Sequence, residues 1–197
     1  MPLRIRSEEP SDFPAIYSLV RDAFAVAKAS DGDEQDFVVA MRDHPGYIPD
    51  LALVAEKGPV LAGYILLTKT RIAGPEGDYD ALLLAPLCVS PKVQRRGVGA
   101  ALMKEAFRRA RDMGFTAVFL AGDPAYYRRF GFRCAAKFGI RHELAVPDKY
   151  ILVLELVPGA LQGKTGTIIL TGHNSCAAAT GQTSSRVEPE SAPCMTI

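Results

Sequence analysis

The spacing of apolar and polar positions divides the chain into short strands and amphipathic helices. Leu3-Arg4-Ile5-Arg6 alternates with period two, as a half-buried strand does. From Ser11 the period changes. Ile16, Leu19, Val20, Ala23 and Phe24 recur at i, i+3, i+4, i+7 and i+8, which gives a helix one apolar stripe to lay on a sheet. Asp12 falls in its first turn, where a carboxylate is favoured. Ala29-Ser30-Asp31-Gly32-Asp33 interrupts the pattern. A second helix is expected over about 34–42, ending before the His44-Pro45-Gly46 turn.

Two β-rich runs follow, 51–56 and 60–70, joined by Lys57-Gly58-Pro59, a short glycine-containing link typical of a hairpin. After the Gly74-Pro75-Glu76-Gly77 turn, residues 81–89 are almost continuously apolar, so this strand should be buried on both faces at the centre of the sheet. Pro86 within it lacks a ladder donor, which predicts a bulge that opens the sheet. A loop, a helix over 98–113 stopped by Gly114, and a strand over 116–121 complete a strand-loop-helix-strand unit. A short helical segment near 124–129, a turn at Phe130-Gly131-Phe132 and a last strand over 150–157 finish the periodic part. From Pro158 the chain turns to Gly, Ser, Thr and Ala. Residues 167–170 are expected to add an edge strand able to support a homodimer, and the chain beyond Gly172 is expected to be a loose tail. The domain reading is therefore 1–157 for the folded unit and 158–197 for a partly disordered C-terminal extension.

Composition narrows the function classes. A length of 197 residues with 48% hydrophobic content suits one sizeable core. The net charge of +1 provides no basic excess for a nucleic-acid backbone, so no such partner is expected. Basic residues do cluster locally at Arg95, Arg96, Arg108, Arg109, Arg111, Arg128 and Arg129. Cys88, Cys134, Cys176 and Cys194 are widely spaced without a CxxC pair, which indicates neither a metal site nor a disulfide framework. Cys88, in its apolar run, reads as a small buried hydrophobe. The N-terminus lacks a signal-peptide core, and no apolar run approaches the ~18 residues of a membrane span. A cytoplasmic protein with no membrane partner is the expectation.

The chemistry concentrates between Ala85 and Phe132. A buried strand ends at Val89, Ser90-Pro91 turns the chain, and Gln94-Arg95-Arg96-Gly97-Val98-Gly99 leads into a helix. Glycines there let a ligand approach the backbone. The first-turn amides of a helix have no intrahelical acceptors, and its dipole is positive at that end. Such a junction suits phosphate or pyrophosphate. It is not a Walker A loop, because no Gly-Lys-Ser/Thr follows, nor a dinucleotide fingerprint, because the third glycine is missing.

On these residues the chain resembles the GNAT (Gcn5-related N-acetyltransferase) superfamily. The family's phosphate loop is Gln/Arg-x-x-Gly-x-Gly/Ala, and residues 94–99 fit each defined position. Leu87-Cys88-Val89-Ser90-Pro91 looks like the family's cofactor-binding strand and its exit. Tyr127-Arg128-Arg129-Phe130-Gly131-Phe132 is similar to its closing Tyr-x-Lys/Arg-x-Gly-Phe stretch, and Gly122-Asp123-Pro124-Ala125-Tyr126-Tyr127 resembles the bacterial branch of predicted N-acetyltransferases. The resemblance implies an α+β fold of the acyl-CoA N-acyltransferase type, with a central, mainly antiparallel, splayed sheet and helices on both faces. It implies acetyl-CoA as acyl donor, with Leu87, Cys88 and Val89 beside its pantetheine arm and Gln94, Arg95, Arg96, Gly97, Val98, Gly99 and Ala100 around its pyrophosphate. It implies direct attack by an amine, of a small molecule or of a protein, with Tyr127 as the acid for the departing thiolate. Phenol and thiol titrate near ~10 and ~8.5, so that transfer requires local tuning. Tyr126 is assigned to packing.

The general base is not legible. No acidic residue lies in 81–89, which leaves Asp80, Glu34 and Asp33 as candidates. His44 and His142 read as exposed, and His173 falls in the tail. The acceptor pocket is expected among residues 11–42, the loop after Thr70 and residues 137–149, with Asp31, Asp33, Glu34 and Asp36 suited to a cationic amine. Two other readings remain. A non-catalytic acyl-CoA-binding sensor would bind without thiol release, and a nucleotide-binding α/β protein would not prefer CoA to ATP.

Overall fold

The computed structural model describes residues 2–25 and 32–170. The readings placed on Asp31, His173, Cys176, Cys194 and the tail beyond Gly172 lie outside the described residues. In chain order the elements are β1 (Leu3–Ser7), α1 (Phe13–Phe24), α2 (Glu34–Arg42), β2 (Tyr47–Lys57), β3 (Val60–Gly74) and β4 (Gly77–Val89). These are followed by α3 (Val98–Asp112), β5 (Ala117–Ala121), α4 (Pro124–Tyr127), β6 (Arg133–Cys134), β7 (Ile140–Arg141), β8 (Ile151–Glu155) and β9 (Gly166–Ile168). Among the described residues, nine strands form one sheet in the order β1-β2-β3-β4-β5-β8-β6, with β9 on the far end of β3 and β7 on β9. Pairing is antiparallel except for β4 with β5 and β7 with β9.

Each face of the sheet carries its own apolar layer. The stripe of α1 (Ile16, Leu19, Val20, Ala23, Phe24) joins Phe37, Val38 and Met41 of α2 over Tyr64, Leu83, Ala85 and Cys88. On the opposite face, Val98, Leu102, Met103, Ala106 and Phe107 of α3 pack with Leu84, Leu87, Val118 and Leu120, and with Tyr127 from α4. The α1–α2 layer is also tied to the sheet through Glu8. Its carboxylate accepts hydrogen bonds from Arg42 at 2.9 and 3.0 Å and from the Tyr47 hydroxyl at 2.7 Å, while Arg42 lies 3.7 Å over the Phe13 ring. Burial first, and then Glu8, push the Tyr47 phenol well above its ordinary range.

The central strand carries the irregularity expected of it. Ala81, Leu83 and Ala85 face the α1–α2 layer, and Leu82 and Leu84 the α3 layer. After the cis Ala85–Pro86 peptide the alternation slips, so that Leu87 and Val89 face α3 and Cys88 faces α1. Register with β3 shifts at the same place, Leu67 pairing with Leu84 but Ile65 with Leu87. An extra residue therefore bulges from β4. On its other side, β4 pairs with β5 only at Leu82–Val118 and Leu83–Phe119. Beyond Leu83 the two strands part, and the sheet opens toward the C-terminal end of β4.

Strands β3 and β4 run further toward their hairpin than the apolar pattern indicates. One face of their outer halves carries exposed cross-strand ion pairs, Lys69–Asp80 at 2.8 Å and Arg71–Asp78 at 2.9 Å, while Ile72 and Tyr79 on the other face pack on the core. The C-terminal strand sits at 166–168, where Ile168 pairs with Ile72. It is flanked by β3 and β7, so it offers no free edge to a second copy. Among the described residues, no helix is long and apolar enough to cross a membrane.

Candidate functional site

The site is built where β4 leaves the opened sheet. After Val89, a 3-10 turn at Pro91–Val93 reverses the chain, and the Gln94 amide nitrogen reaches back to the Val89 carbonyl at 3.4 Å. Arg95 (φ 60°) and Gly97 (φ 82°) both adopt the left-handed conformation, and Gly97 caps α3. Backbone of this kind turns successive amides toward one concavity. The first i→i−4 bond of α3 runs from Ala101 N to Gly97 O at 3.0 Å, so the amides of 98–100 project from the helix end. A Cβ at position 97 would meet nothing within 4 Å.

These amides form one wall of a cleft of about 760 Å³, lined by Val89, Gln94, Arg95, Gly97, Val98, Gly99, Ala100, Tyr126, Arg129 and Phe130. Seven of the ten residues assigned to cofactor binding therefore share one surface. Leu87 and Cys88 are buried beneath it and offer backbone on the opened side of β4, and Arg96 is exposed outside the lining. Burial pushes the Cys88 thiol up to about 12, a shift only partly offset by a backbone hydrogen bond from Tyr64.

The opposite wall comes from α4 and the turn after it. The Asp123 carboxylate accepts from Ala125 N at 2.8 Å and starts α4, in which Pro124 needs no donor. Tyr126, assigned to packing, stands on the cleft wall, with its hydroxyl 3.4 Å from the place of a Cβ on Gly99. It packs edge-on against Tyr127 at 5.0 Å, and Tyr127 packs on Phe132 at 5.4 Å. Tyr127 is fully buried. Arg129, at the Lys/Arg position of the Tyr-x-Lys/Arg-x-Gly-Phe stretch, and Phe130 join Tyr126 on the lining, a trio to which no cofactor contact was assigned. Their spacing at i, i+3 and i+4 was the available signal, since it puts them on one side of a helical turn.

The candidate bases are scattered. Asp80 pairs with Lys69 in the exposed half of the hairpin, and Asp33 precedes α2. Asp36 accepts from the Tyr17 hydroxyl at 3.0 Å. His44 and His142 are less exposed than expected. Nδ1 of His44 accepts from Gly46 N at 2.9 Å, and the His142 side chain is only 6% exposed with Nε2 3.1 Å from Asp148. Among the described residues no cluster of three His, Cys, Asp or Glu side chains can hold a metal ion.

This donor set fits a large, phosphate-bearing thioester. Helix-end amides and the arginines Arg95 and Arg129 line one cleft beside the end of β4, where that strand is no longer paired with β5. Comparison with known proteins points the same way. A family model described as an acetyltransferase (GNAT) domain matches residues 4–135. A protein of Escherichia coli strain K12 named as an uncharacterized N-acetyltransferase, YhbS, is 32% identical over 171 residues, which cover 86% of this chain and 96% of that protein. The crystal structure of E. coli YhbS in complex with CoA matches with a TM-score of 0.75 at 29% identity, covering 84% of this chain and 88% of that one. A GNAT family acetyltransferase from Brucella melitensis in complex with acetyl-CoA matches with a TM-score of 0.69 at 27% identity, covering 85% of this chain and 94% of that one.

Proposed function

Because the chain belongs to the GNAT acetyltransferase family, we propose that it is an N-acetyltransferase that uses acetyl-CoA to acetylate an amine. The observation that carries this reading is the α3 amide cradle standing where β4 and β5 part. The amides of 98–100, with Arg95 and Gln94, hold the pyrophosphate. The pantetheine arm pairs with the backbone of Leu87, Cys88 and Val89 as an added strand would. Acetyl-CoA supplies the activated acyl group.

Transfer is direct, within a complex of both substrates. The neutral amine nitrogen forms a bond to the acetyl carbon, and the carbon–sulfur bond breaks with its electron pair on sulfur. The amine loses a proton to water or a base, and the thiolate takes one from the Tyr127 hydroxyl. Backbone N–H groups beside β4 support the charge that develops on the carbonyl oxygen. A covalent route through Cys88 is disfavoured, because a thiol titrating near 12 is almost wholly protonated at neutral pH. The acceptor is an amine of a small molecule or of a protein.

The test is calorimetric titration of wild type, Gly97→Ala and Gly97→Glu with acetyl-CoA. Both variants bear the same left-handed strain, of roughly 1–2 kcal/mol, so their difference isolates bulk and charge at the cradle. Binding by the wild type and by Gly97→Ala, with loss of about 100-fold or more in Gly97→Glu, is expected. A wild type without affinity for acetyl-CoA sinks the reading. Binding without thiol release across a panel of amines replaces the enzyme by an acyl-CoA sensor.

A further inference from the structure

Arg129 belongs to the cleft wall but not to the cradle of amides at the start of α3. Its guanidinium carbon lies 4.0 Å from the centroid of the Tyr126 ring and 5.0 Å from that of Phe130. Arg95 and Arg129 are the arginines of the lining, and neither is committed to a carboxylate as Arg108 is to Glu105 and Asp112, Arg109 to Glu105, and Arg133 to Glu155; of the two, Arg129 is the one laid on rings. Among the described residues Arg129 has rings as partners and no carboxylate. A guanidinium laid on aromatic faces keeps its N–H edge available and loses little freedom when it binds an oxyanion.

Placement assigns the oxyanion. At the α3 cradle Val98 and Gly99 are buried with Arg95 and Gly97 exposed beside them, whereas Arg129 is exposed on the other wall, over half-buried Tyr126 and Phe130. A coenzyme A thioester with its reacting end at the opening of the sheet and its pyrophosphate on the cradle leads outward to a 3′-phosphorylated ribose. We infer that Arg129, mounted on Tyr126 and Phe130, recognises this 3′-phosphate and makes the site selective for CoA thioesters over their 3′-dephospho forms. The inference rests on the cofactor reading above.

Wild type, Arg129→Ala and Arg129→Lys are titrated with acetyl-CoA and with acetyl-3′-dephospho-CoA. Wild type should bind the dephospho form about 10-fold more weakly, the scale of one charge-assisted contact. Arg129→Ala should lose a similar factor toward acetyl-CoA and almost nothing toward the dephospho form, so the preference disappears. Arg129→Lys, which keeps the charge without the planar fork, should fall between them. Equal weakening of both ligands in Arg129→Ala overturns the inference, because the arginine then serves the pyrophosphate or the wall itself. Equal affinity of the wild type for both ligands also overturns it. A wild type that binds neither removes the cofactor reading as well, a result distinct from both.

Discussion

Tyr126 and Tyr127 are neighbours in sequence but occupy different surroundings. Tyr126 stands on the cleft wall under Arg129, whereas Tyr127 is fully buried between Tyr126 and Phe132. If the Tyr127 hydroxyl protonates the thiolate, Tyr127→Phe should lower kcat by about 100-fold with little change in KM for acetyl-CoA. Tyr126→Phe should leave kcat near wild type, since it keeps the ring under Arg129. Steady-state kinetics of the two variants decides between them, and the reverse pattern would transfer the acid role to Tyr126. At this scale the sequence was partly legible. The loop 94–99 and Tyr127 stand out because their residue types and spacing are those of a known motif. Phe130 did not, and Arg129, although it fills the Lys/Arg position of the motif, received no role, because that depends on which side of a short turn faces α3. The burial of His142 was hidden for a similar reason, since its flanking Arg141 and Glu143 are charged and exposed while its own side chain is covered, with Nε2 3.1 Å from the exposed Asp148 carboxylate.

The cradle works only if the first turn of α3 is held at the right height above the sheet. Gly63 of β3 sits directly beneath it. A Cβ there would stand 2.9 Å from the Cys88 carbonyl oxygen and 3.0 Å from both Val98 Cγ1 and Leu102 Cδ1. Val98 opens α3 and lines the cleft, so a methyl group at 63 presses on the element that presents the amides. Gly63→Ala should cost about 1–3 kcal/mol in urea unfolding, as overpacking does, and weaken acetyl-CoA binding several-fold. Wild-type stability together with wild-type affinity would mean that the contact is slack and that the helix end is positioned by something else. Long elements such as α1, α3 and the core of β4 were legible because each repeats its period over several turns or residues. The outer halves of β3 and β4 were not, because only one face there is apolar, with Ile72 and Tyr79 on the core, while the other face carries exposed ion pairs that break the apolar run. Strands β6 and β7, of two residues each, exist only through distant partners, so no local pattern announces them.

Across the whole molecule, two charge clusters bind the β1–β2 edge of the sheet to the rest. The Arg6 guanidinium donates to both Asp12 oxygens, at 2.6 and 2.9 Å, and to Glu56 at 2.7 Å, joining β1, β2 and the entry to α1. Arg109 of α3 donates to Glu105 at 2.8 Å, and also reaches Ser7 Oγ at 2.8 Å and the Asp50 carbonyl at 3.1 Å. Hydrogen bonds from Arg6 hold the Asp12 carboxyl below its ordinary value, against the opposing effect of burial. Arg108 and then Arg109 bring Glu105 down to about 2. Both carboxyls thus bind protons less readily folded than unfolded, so their contribution is complete above the ordinary carboxyl range and is lost as pH falls through the folded values. Stability should therefore be nearly level from neutral pH to about 4.5 and decline steadily toward pH 2. Asp12→Asn should be less stable than wild type by about 2 kcal/mol at neutral pH, because it leaves the largely buried Arg6 short of its best acceptor. The gap should narrow as pH falls through the lowered folded value of Asp12, where the wild-type carboxyl takes up its proton. Urea unfolding at a series of pH values checks this, and parallel curves for the two proteins would show that Asp12 titrates alike in the folded and unfolded chains. The wild-type acid decline would then have to be carried by other carboxylates, with Glu105→Gln the next variant to compare.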